Sequence, residues 1–154
     1  MKTLHVFNRQ KTRPLNTPVL RQISRFVADD LLGWPEYEIA IHLVSPEKMA
    51  ALHLEFLNIP GSTDVITFDY TEQPDCWRGE IFISVADAVA QAKQFRSTWE
   101  SEVTRYVIHG LLHIEGFDDT RPDLRRVMKR RENKLLKDLS RLFVLSRLKR
   151  GKHV

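Results

Sequence analysis

Val65-Ile-Thr-Phe-Asp-Tyr70 and Gly79-Glu-Ile-Phe-Ile-Ser-Val85 decide the fold. Both runs are dense in β-branched and aromatic side chains, which suit a pleated, half-buried surface, so each predicts a strand. Residues 71–78 (TEQPDCWR) read as a loop between them, which makes the two runs candidates for a hairpin. Working outward, YEIAIHLV (37–44) places Tyr37, Ile39, Ile41 and Leu43 on one face and Glu38, Ala40 and His42 on the other. Period two over that length predicts a third strand, and Leu4 to Phe7 alternates well enough for a fourth. Helical segments fill the remainder. One opens at Asn16 or Thr17 and stops at Gly33, with Pro35 just beyond. Ser45-Pro46 starts another, to about Asn58, and Ser84 with Asp87 and Ser97 with Glu100 start two more. The second of these runs to Gly116, with Trp99, Val103, Tyr106, Val107, Gly110, Leu111 and Ile114 at helical spacing. Thr120, Pro122 and Asp123 open a last long helix whose buried stripe is expected to be Leu124, Met128, Leu135, Leu139 and Leu142. The expected fold is therefore a single α+β domain over residues 1–154, a four-stranded sheet packed with about five helices.

Composition supports a globular chain, with 42% hydrophobic residues and only 7 prolines and 6 glycines in 154 residues. A lone cysteine, Cys76, cannot form an internal disulfide and fits a reducing compartment. MKTLHVFNRQ lacks the apolar run of a signal peptide, and no stretch approaches the ~18 apolar residues of a membrane span. The expected location is the cytoplasm, with no membrane partner and no nucleotide cofactor. Charge is unevenly distributed. Residues 1–120 carry 11 Lys/Arg against 17 Asp/Glu, whereas residues 121–154 carry 13 against 3. A basic helix from about residue 121 points to an anionic partner, the plain alternative being a solvated arginine-rich face.

HGLLHIEGFDD (109–119) carries the chemistry. His109 and His113 are four residues apart on a predicted helix, so both imidazoles leave one face a turn apart. They can hold one edge of a tetrahedral zinc site. Gly116 stands where the helix must end, and the turn it permits can return a residue about three positions later over the metal. Asp119 occupies that place, and Asp118 is its neighbour and rival. Two histidines, a carboxylate and an open fourth position describe a catalytic site at the end of a helix, and one cysteine excludes a thiolate-based structural site. His5, His42, His53 and His153 are scattered and suggest no function.

The same segment resembles the H-G-x-L-H-L-x-G-[YF]-D-H signature of the bacterial YbeY family, metal-dependent endoribonucleases of ribosomal-RNA maturation. TDVITF (63–68) is similar to the family's T-D-V-L-S-F strand and RGEIFIS (78–84) to its L-G-D-I-x-I-S strand. MKRRENKLL (128–136) is similar to its M-x-x-x-E-E helix, so the resemblance covers roughly residues 36–137. It implies one zinc ion held by His109, His113 and Asp119, and metal-assisted hydrolysis of an RNA phosphodiester. It also implies small-subunit ribosomal RNA as substrate, and the small ribosomal subunit or its assembly factors as partners. The general base is unassigned, with Asp118 a candidate for orienting a histidine N–H. On this reading Arg121, Arg125, Arg126 and Lys129, with Arg130, Lys134 and Lys137 behind them, contact phosphates.

Two departures from the family pattern matter, one in the signature and one upstream. Asp119 replaces the signature's last histidine, a change that zinc accepts but that removes a unit of positive charge from the site. LHLEFLN (52–58) aligns with L-N-x-x-[FY]-R-G, so Leu57 stands where an arginine is implied to act on phosphate and His53 where an asparagine is expected. Arg78 is the candidate substitute. Two alternatives remain. One is a non-catalytic, metal-containing ribosome assembly factor. The other is a zinc metalloprotease, which shares the ligand skeleton but needs a glutamate where this chain has Gly110.

Overall fold

A computed structural model describes residues 1–150. The end of the basic tail, residues 151–154 with His153, lies outside the described residues. The strands are β1 (Lys2–Asn8), β2 (Glu36–Val44), β3 (Val65–Asp69) and β4 (Cys76–Ser84), in the spatial order β1-β2-β4-β3. β1 and β4 both pair in parallel with β2, and β3 and β4 form the expected antiparallel hairpin. The α-helices are α1 (Thr17–Phe26), α2 (Pro46–Leu57), α3 (Val85–Phe95), α4 (Trp99–Glu115) and α5 (Pro122–Leu142). This is the four-stranded α+β domain with five helices that the residue pattern implies. None of the described helices is long and apolar enough to cross a membrane.

Alternation sorts the sheet into two faces. Tyr37, Ile39, Ile41 and Leu43 are all at most 1% exposed, and with Leu4, Val6, Ile81 and Ile83 they line the inner face. The main core lies between this face and α1, α3, α4 and α5. The outer face carries a smaller cluster, in which Met49 and Leu52 of α2 pack on Val44, Ile66, Phe68 and Phe82. His42 sits on that face between Phe7 and Phe82, stacked on both rings, with Nε2 2.7 Å from Oε2 of Glu80.

Four local expectations need correction. β4 begins at Cys76, not Gly79, because residues 76–78 pair with Glu36–Glu38 of β2, a long-range partner that loop-like composition conceals. Regular α-helix ends at Phe26, and residues Val27–Leu31 form a wider π-type turn before Gly33 reverses the chain at φ +65°. Thr98, not Ser97, caps α4 by accepting from the Ser101 N–H at 3.2 Å, whereas the Ser97 hydroxyl donates to Glu102 at 2.7 Å. Adjacent hydroxyl residues offer two cap registers, and only the chain path selects one. Finally, Leu142 is 61% exposed, because α5 has passed the edge of the core by its last turn. Phe143, edge-on to Phe26, and the fully buried Leu148 close the core there instead.

Candidate metal centre

α4 is the element on which the site is built. It lies against the inner face of the sheet, closest at Gly110, where an added Cβ would stand 2.7 Å from Cδ1 of Ile81. The absence of a side chain there lets helix and strand approach, and it fixes the height at which the neighbouring His109 leaves the helix. One turn on, Ile114 fills the space above Gly79. Gly116 ends the helix at φ +111°, where its N–H and that of Phe117 take up the carbonyls of His113 and Leu112. The chain then doubles back over the histidines.

That reversal brings Asp119 to the imidazoles. Its Oδ2 lies 3.6 Å from Nε2 of His109 and 3.3 Å from Nε2 of His113, with the three ligand atoms within 4.8 Å of one another. Tetrahedral zinc with bonds of about 2.0–2.1 Å separates neighbouring ligand atoms by about 3.4 Å, which the two carboxylate–imidazole distances match, and the donor set suits such an ion. The three residues are half-buried, which leaves an approach from solvent. Asp118 points elsewhere. Its Oδ1 accepts the Thr120 N–H at 2.9 Å, a bond that holds its carboxyl below the usual aspartate value.

A residue that the local pattern does not single out completes the surroundings. Glu132 of α5 is 3% exposed and its Oε1 lies 2.8 Å from Nδ1 of His109. Its other oxygen accepts from Arg105 at 2.8 Å and from Lys129 at 3.1 Å. Burial alone raises a carboxyl pKa, but bonds from His109 and Arg105 and the Lys129 charge outweigh it and hold Glu132 at about 2. An ionised carboxylate on Nδ1 selects the tautomer that leaves Nε2 free to bind a metal. The available signal is an acid alone inside the basic run MKRRENKLL, within the segment matching the family helix.

A cleft of about 780 Å³ opens beside the metal group, between α3 and the start of β3 on one side and α5 on the other. His109 and Asp119 line it, together with Arg125, Arg126 and Lys129. Arg125 donates to the backbone carbonyl of Asp119 at 3.2 Å, tying the ligand loop to α5. Arg121 instead pairs with Asp123 at 2.7 Å and Lys134 with Asp138 at 2.9 Å, and neither these two nor Arg130 and Lys137 line the cleft. Arg78 does not reach the cleft either. It alternates with the inward Gly79, so it lies on the outer face of the sheet and pairs with Glu38 at 3.2 Å. Leu57, at the end of α2, is 51% exposed, and Nδ1 of His53 donates to the Gly61 carbonyl at 2.9 Å.

The family model for Endoribonuclease YbeY matches residues 5–140. The chain belongs to the YbeY family. Among its relatives, the Endoribonuclease YbeY of Bacteroides thetaiotaomicron is 39% identical over 99 residues, which are 64% of this chain and 72% of that one. The Endoribonuclease YbeY proteins of Thermobifida fusca and Cutibacterium acnes are 32% and 33% identical, each over 80% of this chain and 85% of their own. The solution structure of TM1509 from Thermotoga maritima superposes with a TM-score of 0.65 over 89% of both chains at 22% identity, a likeness of fold. As a YbeY-family chain, this one differs from the family signature at the last position of HGLLHIEGFDD, and the loop after Gly116 nevertheless delivers that residue's carboxylate to both histidines.

Proposed function

We propose that the protein is a metal-dependent endoribonuclease of ribosomal-RNA maturation, with a zinc ion held by His109, His113 and Asp119. The carrying observation is the convergence of three ligand atoms within 4.8 Å at the mouth of a cleft whose α5 wall presents Arg125, Arg126 and Lys129. The names of the relatives supply the substrate class, and the basic wall is the chemistry a phosphodiester backbone requires. A divalent ion at this position supplies Lewis acidity toward a phosphoryl oxygen and a more acidic water. The protein's own part is positioning. Glu132 keeps His109 in one tautomer, the Gly116 turn holds Asp119 in place, and the arginines seat the phosphates in the cleft. Small-subunit ribosomal RNA, the subunit or its assembly factors, and the cytoplasm are the partners and place that fit this reading.

Cleavage of structured RNA by the purified protein tests it. Chelator should abolish cleavage, added zinc should restore it, and His113→Ala should lose it. Cleavage that survives both chelation and His113→Ala would remove the metal from the reaction. Leu57 at the family's arginine position favours one second reading, a non-catalytic assembly factor, which predicts RNA binding without cleavage. Casein cleavage lost on chelation would instead mark a peptidase, a reading that Gly110 disfavours because it supplies no general base beside His109.

A further inference from the structure

The cleft continues beyond the metal group, and its character changes along the way. Glu102, Tyr106, His109 and His113 follow at helical spacing on one face of α4. Glu102 lies about 10 Å along the axis from His109 at the α-helical rise. Opposite the basic wall of α5, this far end is lined by Asp64 before β3, Gln91 of α3 and Arg105 and Glu102 of α4. Gln91 donates to Oδ2 of Asp64 at 3.1 Å and the Val65 N–H to its Oδ1 at 2.8 Å, so Glu102 is the acceptor left for a ligand. Phe95, 64% exposed, stands at the rim.

Between these groups lies a buried donor without an acceptor. Tyr106 is 3% exposed, and its hydroxyl has no hydrogen-bond partner among the described residues. Burial drives its pKa well above the usual tyrosine value, and the charges of Asp64, Glu102 and Asp87 push it further, so the phenol keeps its proton. An orphaned hydroxyl of this kind calls for a ligand. Glu102, 7% exposed, accepts the Ser97 hydroxyl at Oε1, which leaves Oε2 without a side-chain donor among the described residues.

The geometry points to a nucleobase subsite at this end of the cleft, built for guanine, with the attached phosphate toward Arg125, Arg126 and Lys129. The inference rests on the RNA reading above. Carboxylates repel a phosphate, so the acceptor end receives the base and the basic wall receives the backbone. A carboxylate requires N–H donors. Guanine alone offers two adjacent ones, N1–H and the 2-amino group, beside an O6 that the Tyr106 hydroxyl can reach as donor. Adenine and cytosine place an acceptor next to their single amino group, and uracil flanks one N–H with two carbonyls. Phe95 at the rim is available to stack on the ring.

Titration calorimetry of the purified protein with GMP, IMP, AMP and UMP tests the subsite without turnover. GMP should bind tightest, with IMP, which lacks the 2-amino group, about tenfold weaker and AMP and UMP weaker still. Glu102→Gln should abolish the preference for GMP, and Phe95→Ala should weaken all four alike. Should Glu102→Gln fail to fold, Tyr106→Phe, which breaks no hydrogen bond, must weaken GMP severalfold and leave AMP unchanged. Equal binding of GMP and UMP, or a preference that survives the variant tested, overturns the proposal. RNA cleavage by a protein that binds all four alike removes the subsite and keeps the nuclease, whereas GMP selectivity without RNA cleavage does the reverse.

Discussion

Helices α4 and α5 face one cleft but are built on opposite terms. In α4, 11 of 17 residues are buried, whereas in α5 only 5 of 21 are. α4 holds its side chains by packing against sheet and helices, so the two histidines that must keep one geometry stand on the rigid partner. α5 is a basic surface helix whose arginines can follow a mobile polyanion. The difference teaches where precision is needed: ligands belong on the packed helix, and phosphate binding tolerates the exposed one. Glu132 links the two, a buried carboxylate of α5 bonded to His109 and Arg105 of α4.

Metal content should break this comparison most visibly. Asp119→Ala removes an anionic ligand and leaves two nitrogens, so dialysed protein should lose most of its zinc. Glu132→Ala should weaken zinc by the ~10–100-fold typical of losing a ligand's supporting hydrogen bond. Asp118→Ala should leave zinc nearly stoichiometric, since that carboxylate bonds to Thr120 instead. Asp119→His, which restores the family's residue, should retain the metal. Mass spectrometry of the dialysed variants ranks them. An Asp118→Ala variant that empties the site while Asp119→Ala stays full would mean the ligand register is off by one residue.

Packing gives the next effect. At Gly110 a methyl group would lie within 2.8 Å of three atoms of Ile81, so helix and strand must part to admit it. Gly110→Ala should therefore destabilise the fold by about 1–3 kcal/mol despite the better helix propensity of alanine. Glu at this position should fare worse and confer no peptidase activity. A thermal melt compares these with Arg126→Ala on α5, which should leave the melting temperature almost unchanged. If Gly110→Ala melts no lower than Arg126→Ala, the tight approach of α4 to β4 is not what sets the height of the histidines.

Much of this contrast is legible in the sequence. The strands VITFDY and GEIFISV, the inward set Tyr37, Ile39, Ile41 and Leu43, and the close approach implied by Gly110 on an apolar face all follow from local periodicity. So does the placing of His109, His113 and Asp119, because helix spacing and a terminating glycine are short-range geometry. Glu132 is not legible in this way. Its role depends on α5 crossing α4 23 residues after His109, and standing as the one acid in a basic run does not tell a buried carboxylate from a surface partner of Lys129. The same limit applies to Arg78, whose side of the sheet is settled by register. It applies also to the orphaned hydroxyl of Tyr106, which in the sequence is one more member of an apolar stripe.

The smallest effect concerns the exposed helix and sharpens the comparison from its other side. Arg125, Arg126 and Lys129 line the cleft, whereas Arg121 and Lys134 are held in pairs with Asp123 and Asp138. If the cleft residues meet phosphates, removing one such side chain should flatten the log–log dependence of RNA affinity on salt by about 0.7 for a single strand. Arg126→Ala should show that change by itself, since Arg125 and Lys129 also have bonds within the protein, to Asp119 and Glu132. Lys134→Ala should leave the slope unchanged. Titrations of one RNA at several salt concentrations separate the two outcomes, and the fold should be intact in both variants because both side chains are exposed. Equal slopes for wild type, Arg126→Ala and Lys134→Ala would make α5 a solvated face. An equal flattening from Lys134→Ala would spread the RNA along the whole helix, beyond the cleft.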